Sequence, residues 1–287
     1  MNLYWWKEIP NVGDVASEYV ISKLSDEHIK WKEPQRKLLT YCKKTIKDLL
    51  KGKYNISSLG EFVYPWEKCL FAIGSILDYS NNKTICWGCG FREPYSKFRG
   101  GKVLAVRGKL SRNILNREDI PLGDPALLLP LLYTPKAIEQ KEYIKIIPHY
   151  LDYNDIYNQY SNKYQIIDIR TKDVESFIDQ ITSSKYILST SLHGLIIAHA
   201  YGIPALWIKK GPIASSGFKF YDYFSSVEIP KYEGFTNIEE ILSKQSYIEK
   251  LFNENSDKSQ INVSLKNIQH NLLKVAPFKL KDQFQSI

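Results

Sequence analysis

The 287-residue sequence lacks any apolar run long enough to span a membrane. Its first ten residues, MNLYWWKEIP, contain neither a long apolar core nor a small-residue cleavage site. It also lacks the paired cysteines and histidines of zinc fingers and the aromatic signature of RNA-binding domains, which argues against a nucleic-acid partner. Only four cysteines are present, which suits a reducing compartment. We therefore expect a cytoplasmic protein that does not bind nucleic acid.

Cys86 and Cys89 form a C-x-x-C motif, which suggests either a redox pair or half of a zinc site. The sequence has no second C-x-x-C and no H-x-x-x-H to complete a zinc site. The pair follows an apolar segment and lies beside Gly88 and Gly90. We therefore expect two ordinary buried thiols at a glycine turn.

The hydrophobic content of 44% and the charged content of 24% are ordinary for a globular protein. The net charge of +8 favours anionic partners, such as phosphorylated metabolites or an acidic membrane surface. Many of the basic residues belong to a predicted amphipathic helix from Arg36 to Lys53. Such a helix either lies on an anionic bilayer or packs on the core with a solvated basic face, and the sequence leaves both open.

One pattern recurs through the first half of the chain: an apolar strand, a glycine turn, and then a helix or loop. Segments of this kind begin at Cys69, Thr84, Lys102 and Pro121. Apolar strands without alternation favour a parallel sheet that is covered on both faces. Ligands of such sheets bind beyond the carboxyl ends of the strands, so we expect the functional site at that edge.

A polar segment around Pro135 separates this half from a second α/β series. We predict an α/β fold with two Rossmann-like domains, residues 1–134 and 135–287, which face each other across a cleft and are closed by C-terminal helices. In the second domain, the segment that includes FKFYDYF is predicted to be a glycine-bearing loop. A short strand is predicted near Val227 to Ile229.

The most informative stretch is Tyr186 to Ile208, YILSTSLHGLIIAHAYGIPALWI. It predicts a buried strand, a polar elbow, a helix that starts near His193, and a second strand. A strand that leads into a helix brings unpaired backbone N–H groups and the positive end of the helix dipole to one place, which suits an anionic ligand. His193 adds a titratable group there.

Several short motifs occur in an order and spacing that resemble the polysaccharide pyruvyl transferase family. They are NVGD (11–14), GSIL (74–77), GCGF (88–91), AVRG (105–108), GDPALLLP (123–130), IIPHY (146–150), SLHG (191–194) and FKFYDYF (218–224). The resemblance covers nearly the whole chain and implies a GT-B-like fold. One position departs from the family pattern, because many relatives have an arginine where this chain has Ser191.

The resemblance also implies an activity: transfer of pyruvate from phosphoenolpyruvate to a hexose of a bacterial surface polysaccharide or its lipid-linked precursor, as a ketal. No nucleotide, metal or other cofactor is implied. The expected partners are phosphoenolpyruvate and a sugar acceptor carried on a lipid-linked oligosaccharide, with peripheral contact to the inner face of the plasma membrane. Two other functions fit the same scaffold. One is a GT-B glycosyltransferase that uses a nucleotide sugar, and the other is a non-catalytic sugar- or phosphate-binding protein.

Phosphoenolpyruvate is a small polyanion, so its site needs cations and backbone donors. Arg107 follows a strand and can bind a carboxylate or phosphate with two parallel bonds, while Lys219 offers a point charge. The residues that we assign to the donor site are Arg107, Lys219, Ser191, Gly194 and Ser75.

Ketal formation requires a proton for the enol methylene and removal of a proton from the attacking hydroxyl. We assign His193 as the general acid and expect an anionic donor to favour its cationic form. Asp14 either accepts the hydroxyl proton or caps the first helix. The residues assigned to the acceptor are His149, Asn11 and Asp124. His149 is also the alternative acid, and Asp124 alternatively shapes a tight turn.

Overall fold

The computed structural model describes residues 1–34, 38–52, 66–136, 142–210, 216–285 and 287, without the side chains of residues 38–41, 44 and 45. In these residues the chain forms two sheets, and every strand pairs in parallel with its neighbours. Over the same ranges we find no helix that is both long and apolar enough to cross a bilayer. The predicted helix ends at Arg36 and Lys53 lie outside the described residues.

The first sheet consists of β1 (Asn2–Tyr4), β2 (Lys30–Trp31), β3 (Cys69–Phe71), β4 (Thr84–Trp87) and β5 (Lys102–Ala105). Their order in the sheet is β2-β1-β3-β4-β5. The helices of this half are α1 (Val12–Leu24), α2 (Leu38–Leu50) and α3 (Lys109–Leu115). The central strand β3 is buried at every residue, as its unbroken apolar sequence predicts.

The second sheet consists of β6 (Glu142–Ile147), β7 (Gln165–Ile166), β8 (Ser184–Ser189) and β9 (Ala205–Trp207), in the order β7-β6-β8-β9. Its helices are α4 (Tyr153–Tyr160), α5 (Val174–Thr182) and α6 (Leu192–Ala200). The strand, elbow and helix predicted around His193 are therefore β8, residues 190–191 and α6. Every residue of α6 is buried, which its apolar and small side chains allow.

The chain continues with α7 (Phe218–Ser226), α8 (Ile238–Ser243), α9 (Gln245–Glu254) and α10 (Leu265–Lys274). The predicted loop at FKFYDYF is wrong, because this segment is α7. Phe220 and Phe224 of this helix pack against Trp207 of the second sheet, and the rings of Phe220 and Trp207 are stacked at 4.1 Å. The strand predicted near Val227 is also wrong. Val227 follows the last turn of α7, and Ile208 instead makes a bridge with Phe235.

Elements from both halves of the chain share one buried apolar cluster, which includes Leu70 of β3 and Leu188 of β8. Helix α1 packs against α5 and α6, and a 3-10 helix at Pro125–Leu131 packs against α1, α6 and α10. The indole N–H of Trp87 donates to the carbonyl of Leu272 at 2.9 Å, which fixes α10 to the first sheet. The elements that carry the site are thereby held in one packed body.

Cys86 and Cys89 are buried free thiols whose sulfur atoms lie 3.1 Å apart. The sulfur of Cys86 also contacts the carbonyl oxygen of Ala105 at 3.3 Å. Gly88 between them has a φ of 94°, which a side chain would strain. The predicted burial of both thiols beside a glycine turn is confirmed.

Candidate active site

A cleft lies beyond the carboxyl ends of strands from both sheets, with a water-accessible volume of about 180 Å³. It is lined by Trp6, Asn11, Asp14, Gly74, Ser75, Ile76, Tyr79, Arg92, His149, Tyr150, Ser191, Leu192, His193 and Lys219. Most of these residues follow β1, β3, β6 or β8, where the sequence placed the site. Three of the residues assigned from the sequence are not part of the lining: Arg107, Asp124 and Gly194.

His193 lies in the first turn of α6 and is 8% exposed. Its Nε2 atom is buried without a hydrogen-bond partner among the described residues and lies 3.9 Å from Oδ2 of Asp124. Its Nδ1 atom lies against Gly13 and is the less enclosed ring nitrogen. Burial lowers the pKa of His193 to about 3, and the charges of Arg107 and Lys219 act in the same direction. The resting imidazole is therefore neutral, and an anionic ligand would favour its protonation.

Asp124 is completely buried behind His193. Its Oδ1 atom accepts a hydrogen bond from the backbone N–H of Ala126 at 3.0 Å and so caps the 3-10 helix. Its Oδ2 atom has no hydrogen-bond partner among the described residues. Burial raises the pKa of Asp124 to about 7. Because the carboxyl group has no exposed surface, its position does not support the predicted acceptor contact and agrees with the alternative, a tight turn.

The start of α6 is open toward the cleft. Ser191 occupies the cap position but its side chain makes no capping bond, so the first N–H groups of the helix remain available to a ligand. The N–H of Ser191 itself donates to Oγ of Ser189 at 3.0 Å. Gly194 has a packing role, because a Cβ at this position would lie 2.5 Å from Oγ of Ser189. Its small size lets α6 approach β8 closely.

Lys219 projects into the cleft from the first turn of α7. Within the part of the chain that the structure describes, its ammonium forms no ion pair or hydrogen bond, and its one recorded contact is with the ring of Phe220 at 5.4 Å. Burial lowers the pKa of Lys219 to about 8, and the charge of Arg107 adds to this effect. A largely enclosed cation without a carboxylate partner is the arrangement expected of an anion site.

Arg107 is completely buried, and each of its nitrogens has a partner. Nε donates to Oδ2 of Asp222 at 3.0 Å, Nη2 donates to the carbonyl of Phe91 at 2.7 Å, and Nη1 donates to Oγ of Ser75 at 2.7 Å. Its position does not support the predicted direct grip on the donor, since the side chain is fully buried and each guanidinium nitrogen already has a partner within the protein. Ser75, however, lines the cleft. With one lone pair occupied by Arg107, its hydroxyl is free to donate its proton to a ligand.

Two glycines make room for this buried ion pair. A Cβ on Gly90 would lie 2.6 Å from Cζ of Arg107, and one on Gly108 would lie 1.7 Å from the carbonyl oxygen of Asp222. Asp222 also accepts hydrogen bonds from the backbone N–H and hydroxyl of Ser111, both at 2.7 Å. These bonds join α3 to α7 and thereby fix the helix that carries Lys219.

Asp14 and Asn11 line the cleft at the start of α1. The helix begins at Val12, and Asn11 is its cap: Oδ1 of Asn11 accepts from the N–H of Gly13 at 2.9 Å. The alternative role of Asp14 as the helix cap is therefore wrong. Burial raises the pKa of Asp14 to about 7, against the opposing charge of Lys219. A carboxyl group that titrates near neutral pH is suited to exchange a proton with a ligand.

His149 follows β6 and faces the cleft beside Tyr150. Its Nδ1 atom accepts from the backbone N–H of Leu151 at 3.4 Å, and its own backbone N–H donates to Oγ1 of Thr190 at 2.7 Å. Burial lowers the pKa of His149 to about 4, and Lys219 adds to the shift. This histidine is thus fixed in place as a neutral hydrogen-bonding group.

Seven residues of the cleft were not assigned from the sequence, and four of these have aromatic or charged side chains: Trp6, Tyr79, Arg92 and Tyr150. Trp6 and Tyr150 follow β1 and β6 by two and three residues, so their positions after strand ends could have identified them. Arg92 also lines a second cavity of about 510 Å³, together with Asp78, Glu93, Tyr95, Ser96, Lys97 and Arg99. The two cavities therefore adjoin at Arg92.

The part of the chain that forms the cleft is similar in sequence to known proteins. A sequence model of the family described as polysaccharide pyruvyl transferase matches residues 11–209, a range that contains every cleft residue except Trp6 and Lys219. The chain is also 33% identical over 166 residues to the uncharacterized protein L143 of Acanthamoeba polyphaga mimivirus. That match covers 53% of this chain and 58% of the viral protein, so it spans little more than half of either.

Proposed function

Because the chain belongs to the polysaccharide pyruvyl transferase family, we propose that it transfers pyruvate from phosphoenolpyruvate to a hexose of a surface polysaccharide or its lipid-linked precursor, as a ketal. The observation that carries this proposal is the anion site formed by Lys219 and the open start of α6. These groups lie in the same small cleft as two neutral histidines and a carboxyl group that titrates near neutral pH. The cleft thus combines a binding site for a small anion with side chains that can exchange protons.

The donor contacts follow from the charges of the cleft. The ammonium of Lys219 and the first N–H groups of α6 bind the phosphate and carboxylate of phosphoenolpyruvate. Ser75 donates its hydroxyl proton to the same anion. Arg107 contributes through Ser75. Its Nη1 group donates to Oγ of Ser75, so the hydroxyl proton of Ser75 points to the ligand, and the charge of Arg107 makes that hydroxyl a stronger donor. With Ser191 in place of the arginine of many relatives, no side chain crowds the start of the helix.

The reaction requires three proton movements, and the cleft supplies groups for the first two. His193 gives a proton to the methylene carbon of the donor, which leaves positive charge at the carbon that carries the phosphate. A sugar hydroxyl attacks that carbon and gives its proton to Asp14. The second hydroxyl then displaces phosphate and gives its own proton to the departing phosphate oxygen as the ketal closes. Inorganic phosphate and the pyruvylated sugar are the products.

The acceptor is proposed to lie between Asn11, His149 and the aromatic side chains of the cleft. Trp6, Tyr79 and Tyr150 offer apolar faces on which a sugar ring can stack. The neighbouring cavity is basic at Arg92, Lys97 and Arg99, which suits an anionic continuation of the acceptor. The cleft itself holds the sugar that receives pyruvate.

The fold assignment is refined in the same way: we propose a GT-B-like arrangement with residues 1–134 and 135–287 as its two domains. The five strands of the first sheet fall within the first range and the four strands of the second sheet within the second, which supports this division. Residues from both ranges line the cleft. This is the position in which a two-domain transferase would hold its substrates.

We also propose that the protein works at the cytoplasmic face of a membrane. Helix α2 supports this location, because Ile46, Leu49 and Leu50 are 57%, 56% and 84% exposed. Lys43 and Lys47 of the same helix and Lys51, which follows its last residue, lie at intervals of four residues and are exposed too. An exposed apolar strip beside a row of lysines matches a bilayer with anionic headgroups. A lipid-linked acceptor would be found there.

Thermal unfolding in the presence of candidate donors tests the proposed donor. Phosphoenolpyruvate at about a hundredfold excess over its dissociation constant should stabilise the protein by about 2.7 kcal/mol, whereas UDP, CDP and GDP sugars should not. Stabilisation by a nucleotide sugar alone would favour a glycosyltransferase. Mass spectrometry of the acceptor then tests for transfer. Donor binding without the gain of a pyruvyl group by any lipid-linked hexose would favour a binding protein.

A further inference from the structure

Behind the cleft, two buried polar atoms face each other and neither has a hydrogen-bond partner among the described residues: Nε2 of His193 and Oδ2 of Asp124. The distance between them is 3.9 Å, which is only slightly longer than the usual hydrogen-bond length of about 2.7 to 3.2 Å. Buried polar atoms without partners are rare in folded proteins. Two such atoms on facing side chains indicate a bond that forms in another protonation state.

The two ends of this pair are held differently. Asp124 is fixed, since Oδ1 already accepts from Ala126 and the residue is completely buried. The imidazole of His193 is not fixed by a hydrogen bond among the described residues, but its Nδ1 atom lies against Gly13, which limits movement in that direction. A small rotation of the imidazole toward Asp124 therefore suffices to close the bond. The other ring nitrogen then stays on the side of the cleft.

We propose that Asp124 is a positioning residue for His193, which binds Nε2 of the histidine and so presents Nδ1 to the methylene carbon of the donor. This inference rests on the proposed function, and it assigns to Asp124 a role that differs from the acceptor contact expected from the sequence. The bond forms when the donor anion enters the cleft and offsets the positive charge there. Asp124 then accepts from the Nε2–H group of a protonated His193.

The charges around the pair favour a neutral imidazole at His193. Arg107, Lys219 and His149 disfavour the protonation of His193, and Asp14 lines the same cleft. Asp124 is influenced by Arg107 and Asp222. Burial lowers the pKa of His193 to about 3 and raises that of Asp124 to about 7. Near neutral pH the carboxyl group of Asp124 thus retains a proton for part of the time while the imidazole is neutral.

This arrangement supplies the proton that the reaction consumes. When the donor anion enters the cleft, the proton on Oδ2 of Asp124 moves to Nε2 of His193: the Oδ2–H bond breaks, an Nε2–H bond forms, and the cationic histidine is then bound to the carboxylate of Asp124. His193 next gives the proton on Nδ1 to the donor carbon, so the Nδ1–H bond breaks and a C–H bond forms. His193 ends neutral, Asp124 ends as a carboxylate, and no further reactant is needed. Solvent protons restore the pair after the product leaves.

Asp124→Asn is the variant that tests this role, because asparagine is an equally good cap and keeps the bond from Ala126. The variant should still bind phosphoenolpyruvate, because none of the groups assigned to the donor is removed. Its kcat should fall by about 10- to 100-fold, part of the 10²- to 10⁴-fold that general acid catalysis contributes. The alkaline limb of its kcat–pH profile should move to lower pH, because the remaining acid is His193 alone.

Asp173→Asn is the matched control. Asp173 is also a helix cap: it caps α5 by accepting from the N–H of Ser176 at 2.9 Å, and it is exposed. Its kcat and pH profile should stay those of the wild type. If Asp124→Asn keeps the wild-type kcat and pH profile, Asp124 is a structural cap only and the proposal is overturned.

A second measurement covers a variant that fails to fold. In the wild-type protein, ¹⁵N spectra of the His193 ring should report protonation of Nε2 when phosphoenolpyruvate is added. If Nε2 stays unprotonated and without a hydrogen bond in the complex, the proposed bond between His193 and Asp124 is refuted. This readout does not require turnover, so a chain that binds the donor but transfers no pyruvate would contradict the proposed function and still test Asp124.

Discussion

Gly13 and His193 belong to helices from different halves of the chain, and no methyl group fits between them. A Cβ on Gly13 would lie 2.0 Å from Nδ1 and 2.3 Å from Cγ of His193. Gly13 is the second residue of α1, within the NVGD motif, and the ring of His193 comes from the first turn of α6. The contact fixes the side of the cleft on which the imidazole lies.

Gly13→Ala should therefore displace the imidazole. Alanine is favoured over glycine in a helix by about 1 kcal/mol, so the helix itself should not be weakened. We expect kcat to fall by about 10²-fold or more, the loss expected when a general acid is moved. The double variant Gly13→Ala/His193→Ala is the control: if Gly13 acts through His193, adding Gly13→Ala to His193→Ala should cost no further activity. Equal losses in both backgrounds would contradict this relationship.

Donor affinity should depend on pH through Lys219. The pKa of this lysine is lowered to about 8, so its cation is fully present below that pH and is lost as the pH rises through it. Titration calorimetry should show that phosphoenolpyruvate binds progressively more weakly above about pH 8. Lys219→Gln should bind about 10- to 100-fold more weakly at pH 7, the value of a charged hydrogen bond of about 1.5 to 3 kcal/mol. It should also lose this pH dependence.

Lys136→Gln serves as the control for Lys219, since the side chain of Lys136 is 82% exposed and lies outside the cleft. It should keep the wild-type affinity at every pH. An unchanged affinity in Lys219→Gln would remove this lysine from the donor site.

Arg107 should prove to be mainly a stability residue. It forms a completely buried ion pair with Asp222, and removal of one partner leaves the other charge buried and unpaired. Arg107→Met and Asp222→Leu should each lower the free energy of unfolding by about 3 to 5 kcal/mol, measured by denaturant titration. The double variant should lose less than the sum of the two. A stable Arg107→Met that has lost only donor binding would instead support direct contact with the donor.

The exposed apolar strip of α2 should bind anionic vesicles. Leu49→Glu and Leu50→Glu should each reduce co-sedimentation with phosphatidylglycerol vesicles by about tenfold or more, since burial of a leucine contributes about 1.5 to 3 kcal/mol. Binding should also weaken with added salt because the lysines contribute. Tyr247→Glu, at an exposed aromatic on α9, is the control and should bind as the wild type does. Binding to a protein from the same cell, without vesicle binding, would make α2 a protein interface.

The position of the cleft was predictable from the sequence because the carboxyl ends of parallel strands meet at one edge, and seven of its lining residues were assigned on that basis. The role of Arg107 was not predictable. Its partner Asp222 lies 115 residues away, and a strand-end arginine has the same local pattern whether it faces a ligand or a buried carboxylate. The pairing of Asp124 with His193 was hidden for the same reason. The GDP turn was recognised, but the direction of its second carboxylate oxygen depends on how α6 packs.

The most direct test of the account is mass spectrometry of a lipid-linked hexose acceptor after incubation with phosphoenolpyruvate and either the wild-type protein or His193→Gln. The wild type should add one pyruvyl group per acceptor and release one phosphate for each. His193→Gln should still be stabilised by phosphoenolpyruvate but should transfer at least about 10²-fold more slowly. No pyruvyl gain with the wild type, or a near-normal rate with His193→Gln, would contradict the account.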